Sequence, residues 1–515
     1  MLSMIKSCVV SGLQGLPVTV EVDIGAGLSA FEIVGLPDAS VRESRERVRA
    51  ALKNSGFDFP LRRITVNLAP ADIKKEGPSL DLPIAIAILT ATGQIELTDA
   101  IRDAVFVGEL SLEGSLRPVS GALSIAGCLS ARGVESLYLP AANSAEAAIA
   151  TGINVYGISD LHELAELLKG ETSARPVTVD AMGLLRSAER DDIADMADVK
   201  GQHAVKRALE IAAAGGHNML MIGPPGSGKT MLARRLPTIL PDITLEESIE
   251  DTKIYSIAGM LKEGQALVAS RPFRAPHHGA SAASIIGGGA NPKPGEISLA
   301  THGVLFLDEI AEFHRDVLEA LRQPMEDHIV TVSRVSGRVD FPASFQLIGA
   351  MNPCPCGYWG DELKQCSCTP NQRKRYFQKI SGPLLDRIDI QIEVPRIKYQ
   401  EISGGSGQEE TSAQIRARVT AARDIQEKRF AGRPGVTNAV MSRRDLEKYC
   451  RPDEEGQALL EAAFLRLGMS GRGHDRILKI ARTIADLAGA ENIGAVHIAE
   501  AIQYRSLDRE DFNEF

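Results

Sequence analysis

Hydrophobic and polar residues alternate at two different periods along this 515-residue chain, and the change of period divides it. In the first third, "VTVEVDI" (18–24) and "RITVNLA" (63–69) alternate one for one, the period of a half-buried strand. Between them "SVRESRERVRAALKNSG" (40–56) has helical spacing, with Gly56 as its stop signal. "LYLP" (137–140) and "NVYGI" (154–158) add short strands, each followed by a helical stretch. Residues 173–198 lose any sustained pattern and read as a linker. A second α/β pattern follows, with strands "NMLMIG" (218–223), "VLFLDE" (304–309) and "FQLIGAM" (345–351). "SGGSGQEE" (403–410) is a flexible connection, after which 413–430, 453–468 and 475–489 all carry helical periodicity. The expected organisation is an α/β domain over 1–172, the linker, a second α/β domain over 199–396 and a helical domain over 397–515.

The first chemistry lies where an apolar strand meets a helix. "GPPGSGKT" (223–230) fits the phosphate-loop spacing in its strand–loop–helix context. Gly223, Pro224, Pro225, Gly226, Ser227 and Gly228 form the loop, and Lys229, Thr230 and Met231 open the helix. The glycines let backbone N–H groups turn towards phosphates, Lys229 offers a point charge, and Thr230 is a ligand for Mg²⁺. ATP and Mg²⁺ are therefore the expected cofactors. About eighty residues on, the apolar run of "GVLFLDE" ends in two carboxylates. A buried strand there delivers Asp308 to the metal and Glu309 as a general base.

Composition narrows the partners. The chain is 44% hydrophobic and 24% charged, which allows sizeable cores. Its formal charge of −10 argues against a general polyanion-binding surface, so any nucleic-acid contact needs a local basic patch. No 18-residue apolar run appears and the N-terminus lacks a long apolar h-region, so a cytoplasmic protein with no membrane partner is expected. Cys8, Cys128 and Cys450 then read as reduced core thiols.

The other four of the seven cysteines crowd into "NPCPCGYWGDELKQCSCTPNQRKRY" (352–376), spaced C-x-C-x₉-C-x-C. Four thiolates at Cys354, Cys356, Cys366 and Cys368 suit a structural Zn²⁺; the alternative is a set of metal-free reduced thiols. A metal would fold an insertion too small for its own core. That insertion carries Tyr358 and the single tryptophan, Trp359, and leads into Arg373, Lys374 and Arg375. Aromatic stacking beside cations suits single-stranded DNA; for Trp359, packing on the knuckle is the competing role. His277 and His278 in "APHHGAS" read as structural.

With "GGGANPKPGEISLATHGVLFLDEIAEF", "GAMNPCPCG", "GPLLDRIDI" and "SGRGHDRILKIARTIADL", the chain resembles the AAA+ ATPases of the magnesium-chelatase-like group and, more closely, the ComM/YifB family, over essentially its whole length. The resemblance implies a central AAA+ domain with a helix-2-type insertion (284–303) and a β-hairpin insertion (326–345), and a C-terminal helical lid. Asn352 matches the sensor-1 residue that orients the attacking water. Arg387 matches the arginine finger, and Arg476 resembles the sensor-2 arginine, with Arg472 competing for that role. A homo-hexameric ring is implied. Arg334 and Arg338, near the hairpin tip, would line its pore and grip the DNA backbone.

"KEGPSLDLPIAIA" (75–87) resembles the nucleophile segment of Lon-type proteases, with Ser79 at the serine position. The expected lysine base falls at Leu123, so a Lon-like or ribosomal-S5-like scaffold without proteolysis is expected. The leading function is an ATP-driven ring helicase acting on single-stranded or branched DNA. The family narrows this to branch migration in homologous recombination during natural transformation, with other recombination proteins as partners. The alternatives are a chelatase-type motor that remodels a protein partner, although no "DxSxS" module follows in the chain, and an ATP-dependent protease.

Overall fold

The computed structural model describes residues 1–505 except 73, 188–193, 263, 290, 291, 335, 336, 362, 397–408, 434 and 467. It is a mixed α/β protein with two main sheets and a helical bundle. The first sheet has seven strands: Leu2–Ser11, Gln14–Gly25, Ala30–Val34, Arg63–Ala69, Val105–Phe106, Ser136–Pro140 and Asn154–Ile158. The first three pairings that build it from Leu2–Ser11 through Gln14–Gly25 to Arg63–Ala69 and Ala30–Val34 are antiparallel, antiparallel and parallel. Alternation in the sequence becomes alternation in burial, with Val18, Val20, Val22 and Ile24 pointing into the core. Helix Ala39–Asn54 starts where Asp38 accepts a hydrogen bond from Val41 N, and it buries Val41, Val48, Ala51 and Leu52. It stops before Gly56, which holds φ at +84°.

The second sheet is wholly parallel and has five strands. In spatial order they are Phe273–Arg274, Val304–Leu307, Gln346–Met351, Met219–Ile222 and Ile390–Glu393. Helices cover both faces, so the three central strands are buried at every position and read in sequence as unbroken apolar runs. The glycine run at 287–289, before the acidic strand, suggests a mobile loop when read from sequence alone. Instead Gly287–Gly288 pairs antiparallel with Lys293–Pro294. Its glycines serve close approach: a Cβ on Gly287 would lie 2.4 Å from the Lys293 carbonyl oxygen. The hairpin pairs Ile329–Arg334 with Gly337–Pro342, and its turn residues 335 and 336 lie outside the described residues.

The C-terminal helices include Ser412–Arg429, Glu454–Arg466 and Gly471–Leu487. Most of the connection at 403–410 lies outside the described residues. A buried polar chain ties this bundle to the parallel sheet. His217 Nδ1 meets Asp389 Oδ2 at 2.9 Å and its Nε2 meets Thr483 Oγ1 at 2.8 Å. Asn438 Nδ2 then donates to Thr483 Oγ1 at 3.1 Å and to Asp486 Oδ2 at 2.8 Å. Low local dielectric strengthens such a chain once every member is satisfied.

The seven-stranded unit rests on the parallel-sheet unit through helix Ala122–Ala131. Gly121 N donates to Ser256 Oγ at 2.8 Å, and Leu123, 2% exposed, shares a cluster with Ile149, Ala266 and Leu267. Among the described residues no helix is long and apolar enough to cross a membrane.

Candidate functional site: a phosphate loop walled by a cysteine cluster

Strand Met219–Ile222 ends at loop 223–228, and helix Lys229–Ile239 begins directly after it. Gly226 and Gly228 hold φ at +77° and +91°, which L side chains rarely adopt. Gly223 is required by space: a Cβ there would lie 2.2 Å from the Val394 carbonyl oxygen. Ser227 is fully buried beneath the loop, and Met231 packs on the core below it. Lys229 folds back over the loop. Its Nζ donates to the carbonyls of Gly223 at 2.7 Å and Pro224 at 3.0 Å, and to Asn352 Oδ1 at 3.4 Å. Burial pulls its pKa below the ordinary lysine value, against the opposing pull of Asp308 and Glu309.

Neighbouring parallel strands deliver the remaining groups to the same mouth, at their carboxyl ends. Asp308 follows strand Val304–Leu307; its Oδ2 accepts from Thr230 Oγ1 at 2.7 Å and its Oδ1 from Glu309 N at 3.0 Å. Glu309 stands in the left-handed region at φ +51°, so the chain turns abruptly after the buried strand. Its side chain is 55% exposed, and Oε2 lies 3.8 Å from His278 Nδ1. The His278 ring also lies against that of His277, tilted by 33° with centroids 4.1 Å apart. Sequence reading treated this pair as structural; nothing local to "APHHGAS" shows that it faces a carboxylate thirty residues on. Thr230 and Asp308 together offer hard oxygen donors side by side, which fits Mg²⁺.

The third wall is the cysteine insertion. The sulfurs of Cys354, Cys356, Cys366 and Cys368 all lie within 4.8 Å of one another. Measured edges are 3.3 Å (Cys354–Cys356), 3.7 Å (Cys354–Cys366) and 3.6 Å (Cys356–Cys366). A tetrahedral Zn–S₄ centre with ordinary bond lengths has edges of about 3.8 Å. The cluster therefore fits zinc. Burial pushes the Cys354 thiol up to about 12. At Cys356 burial also raises the pKa, but hydrogen bonds from the Tyr358 and Ser367 backbones and from neighbouring thiols outweigh it and bring it down to about 5.

This insertion touches the phosphate loop. Gly357, at φ +84°, lies so close to Pro225 that a Cβ would come within 2.8 Å of two ring carbons. Replacing Gly357 by alanine must displace the stiff Pro225 ring and strain a left-handed residue. Affinity for a fluorescent ATP analogue should fall about tenfold, since strain of one to three kcal/mol is typical of such a position. Unchanged affinity in an equilibrium titration would mean that this contact does not support the loop. Tyr376, which sequence reading missed, lies buried on helix Pro370–Phe377, and its hydroxyl shares a hydrogen bond with the Asn352 backbone.

The expected DNA contacts are dispersed. Trp359 is half-buried beneath Arg373, whose guanidinium sits 5.6 Å from the ring centroid. Lys374 and Arg375 are exposed on the same helix. Arg338 pairs with Asp340 at 3.2 Å and is 69% exposed, while the Arg334 side chain lies outside the described residues. The two arginines matched to distant roles have partners other than Lys229's neighbours Gly223, Pro224 and Asn352. Arg387 pairs with Glu326 and donates to the Pro383 carbonyl at 2.6 Å. Arg476 Nε meets Asp389 Oδ1 at 3.2 Å, and the competing Arg472 lies 3.5 Å from Asp386. Both lid arginines thus face the segment that carries Arg387.

Comparison with known proteins adds the lineage. Residues 195–402 match the family model described as magnesium chelatase, subunit ChlI; residues 20–143 match subunit ChlI of Mg-chelatase; residues 409–505 match its C-terminal region. The chain is 42% identical over 508 residues to competence protein ComM of Haemophilus influenzae, covering 99% of this chain and 98% of the relative. It is 43% identical over 502 residues to YifB of Salmonella typhimurium, covering 97% and 96%, and 42% identical over 509 residues to YifB of Escherichia coli, covering 99% and 98%. With such identity sustained from end to end, this chain belongs to the ComM/YifB family of magnesium-chelatase-like proteins.

Proposed function

We propose that this protein is an ATP-hydrolysing DNA motor: a cytoplasmic homo-hexameric helicase that promotes branch migration in homologous recombination during natural transformation. The observation that carries this reading is the contact between Gly357 and Pro225, which sets an insertion bearing aromatic and basic side chains directly on the phosphate loop. A relative bears the name competence protein, which supports the biological setting.

In this reading Lys229 leaves its loop carbonyls for phosphate oxygens, and Thr230 and Asp308 hold Mg²⁺. The ion, when bound, neutralises charge on those oxygens. Glu309 takes the proton of the attacking water and Asn352 orients that water. Arg387 exchanges Glu326 for a phosphate bound at the neighbouring subunit, and Arg476 steadies the lid over the segment that carries Arg387. Zn²⁺ held by Cys354, Cys356, Cys366 and Cys368 supplies a fixed fold for the insertion. DNA then meets Trp359, Arg373, Lys374 and Arg375, and the hairpin arginines Arg334 and Arg338 track its backbone. Recombination proteins are the partners this role calls for.

A chelatase-type motor acting on a protein partner is the second reading, favoured by the description of the matching family models. Proteolysis is disfavoured. Leu123, at the position of the Lon lysine, is covered by Ala266 and Leu267, and the buried Lys75 gives its ammonium to the Pro70 carbonyl.

ATP turnover with and without single-stranded and forked DNA separates these readings. DNA should raise wild-type turnover several-fold, Lys229→Ala should be inactive, and Cys354→Ser/Cys356→Ser should lose the stimulation. DNA that alters neither turnover nor assembly would remove the helicase reading and turn attention to a protein substrate.

A further inference from the structure

The helical bundle carries an open cleft of about 520 Å³. It lies between the end of helix Ser412–Arg429, helix Arg443–Tyr449 and the turn after Gly471–Leu487. Four cations line it, Arg429, Lys448, Arg451 and Arg482, against one carboxylate, Glu491. None of them belongs to the nucleotide or DNA groups assigned above.

The floor of this cleft holds an excess of positive charge. Asp486, fully buried, is shared by two guanidiniums: Arg429 Nη2 at 2.5 Å and Arg482 Nη2 at 2.9 Å. The Arg429 and Arg482 side chains are only 10% and 3% exposed. One carboxylate between two buried cations leaves a charge uncompensated where water screens poorly. The remaining nitrogens of Arg482 donate to the Ala490 carbonyl at 2.6 Å and the Glu491 carbonyl at 2.7 Å. Those bonds fix the guanidinium without cancelling its charge. On the rim, Lys448 lies 4.7 Å from the Tyr449 ring centroid and Arg451 donates to the Glu447 carbonyl at 2.8 Å, so neither of these contacts is with a carboxylate. Fixed cations below, exposed cations above and an aromatic face alongside make a receptor for phosphate oxygens.

We infer that this cleft is a second phosphate site, distinct from the phosphate loop. Its ligand is a phosphate group carried either by a nucleic-acid backbone or by a free polyphosphate. The inference does not depend on the helicase reading, because its test measures binding.

The test uses the full chain carrying Lys229→Ala, which removes competition from the phosphate loop, with and without Lys448→Ala/Arg451→Ala. Both rim residues are exposed, so the fold should survive, as circular dichroism would verify. The probes are a fluorescein-labelled single-stranded oligonucleotide and inorganic tripolyphosphate. If the cleft holds a nucleic-acid backbone, the rim variant should bind the oligonucleotide at least tenfold more weakly. The slope of log affinity against log salt should also fall by about 1.4, the single-strand value for two lost cations. If it holds a free polyphosphate, oligonucleotide affinity should stay constant while tripolyphosphate affinity falls at least tenfold. Affinities for both probes within twofold of the parent, or a parent that binds neither probe, would overturn the assignment.

Discussion

Replacing Glu309 by glutamine should lower ATP turnover about 10²–10⁴-fold, the usual contribution of a positioned general base, and leave nucleotide affinity nearly unchanged. The geometry separates the two effects. Binding groups lie on the loop side of the mouth: Lys229 on its carbonyls, and Thr230 on Asp308 at 2.7 Å. The Glu309 side chain makes none of these contacts; its backbone amide N–H holds Asp308 at 3.0 Å. Glutamine preserves that amide, the side-chain volume and the left-handed backbone at φ +51°, and removes only the basic oxygen. Single-turnover hydrolysis beside an equilibrium titration of a fluorescent ATP analogue reads both quantities. A variant retaining a tenth of wild-type turnover would assign the base elsewhere, and His278, 3.8 Å from the carboxylate, would be the next residue to substitute.

Asp389→Ala should destabilise the parallel-sheet unit by about 3–5 kcal/mol, the usual cost of breaking a buried ionic pair by removing one member. Asp389 meets both His217, at 2.9 Å, and Arg476, at 3.2 Å, across the boundary between sheet and bundle. Its removal takes the nearer carboxylate, at 3.2 Å rather than the 3.9 Å of Asp386, from a guanidinium that is 12% exposed. Denaturant unfolding followed by the fluorescence of the single tryptophan, Trp359, reports on this unit. Acid supplies a second signature. Burial raises the Asp389 pKa, but the hydrogen bond and charge of His217, then Arg476 and Lys479, bring it below the ordinary carboxylate value. A folded pKa below the unfolded value of about 3.9 means that stabilisation is complete above that pH and fades as acid passes through the folded value. The gap between parent and variant should therefore narrow below about pH 4. A constant gap across that range, or a loss under 1 kcal/mol, would show that the network is not held by this carboxylate.

Local pattern made part of this molecule legible. The three central parallel strands appear as apolar runs because both of their faces are covered, and the phosphate loop appears because its glycines and lysine are contiguous in sequence. The four cysteines lie within fifteen residues, so their convergence was readable too. What stayed hidden depends on which surfaces the topology brings together. Arg387 against Glu326, Arg476 against Asp389, and His278 against Glu309 join segments that no periodicity links. Arg373 over Trp359 showed the same difficulty at short range, because two residues read separately as DNA contacts engage each other. The close approach of the glycines at 287 and 295 stayed hidden for a related reason. Sequence shows that a residue lacks a side chain, and only the packed backbone shows whether that absence serves flexibility or a close approach, here 2.3 Å from a Gly295 Cβ to Gly287 N.

The covering of Leu123 closes a route to new chemistry. Helix Ala122–Ala131 is the docking face for the parallel-sheet unit, with Leu123 among Ile149, Ala266 and Leu267. A Leu123→Lys change would not rebuild a serine–lysine pair with Ser79. It would bury an ammonium in an apolar seam and force the two units apart before any hydrolytic chemistry began. The side chain at position 123 is thereby committed to holding two units together, and a charge placed there is paid for in assembly rather than in chemistry.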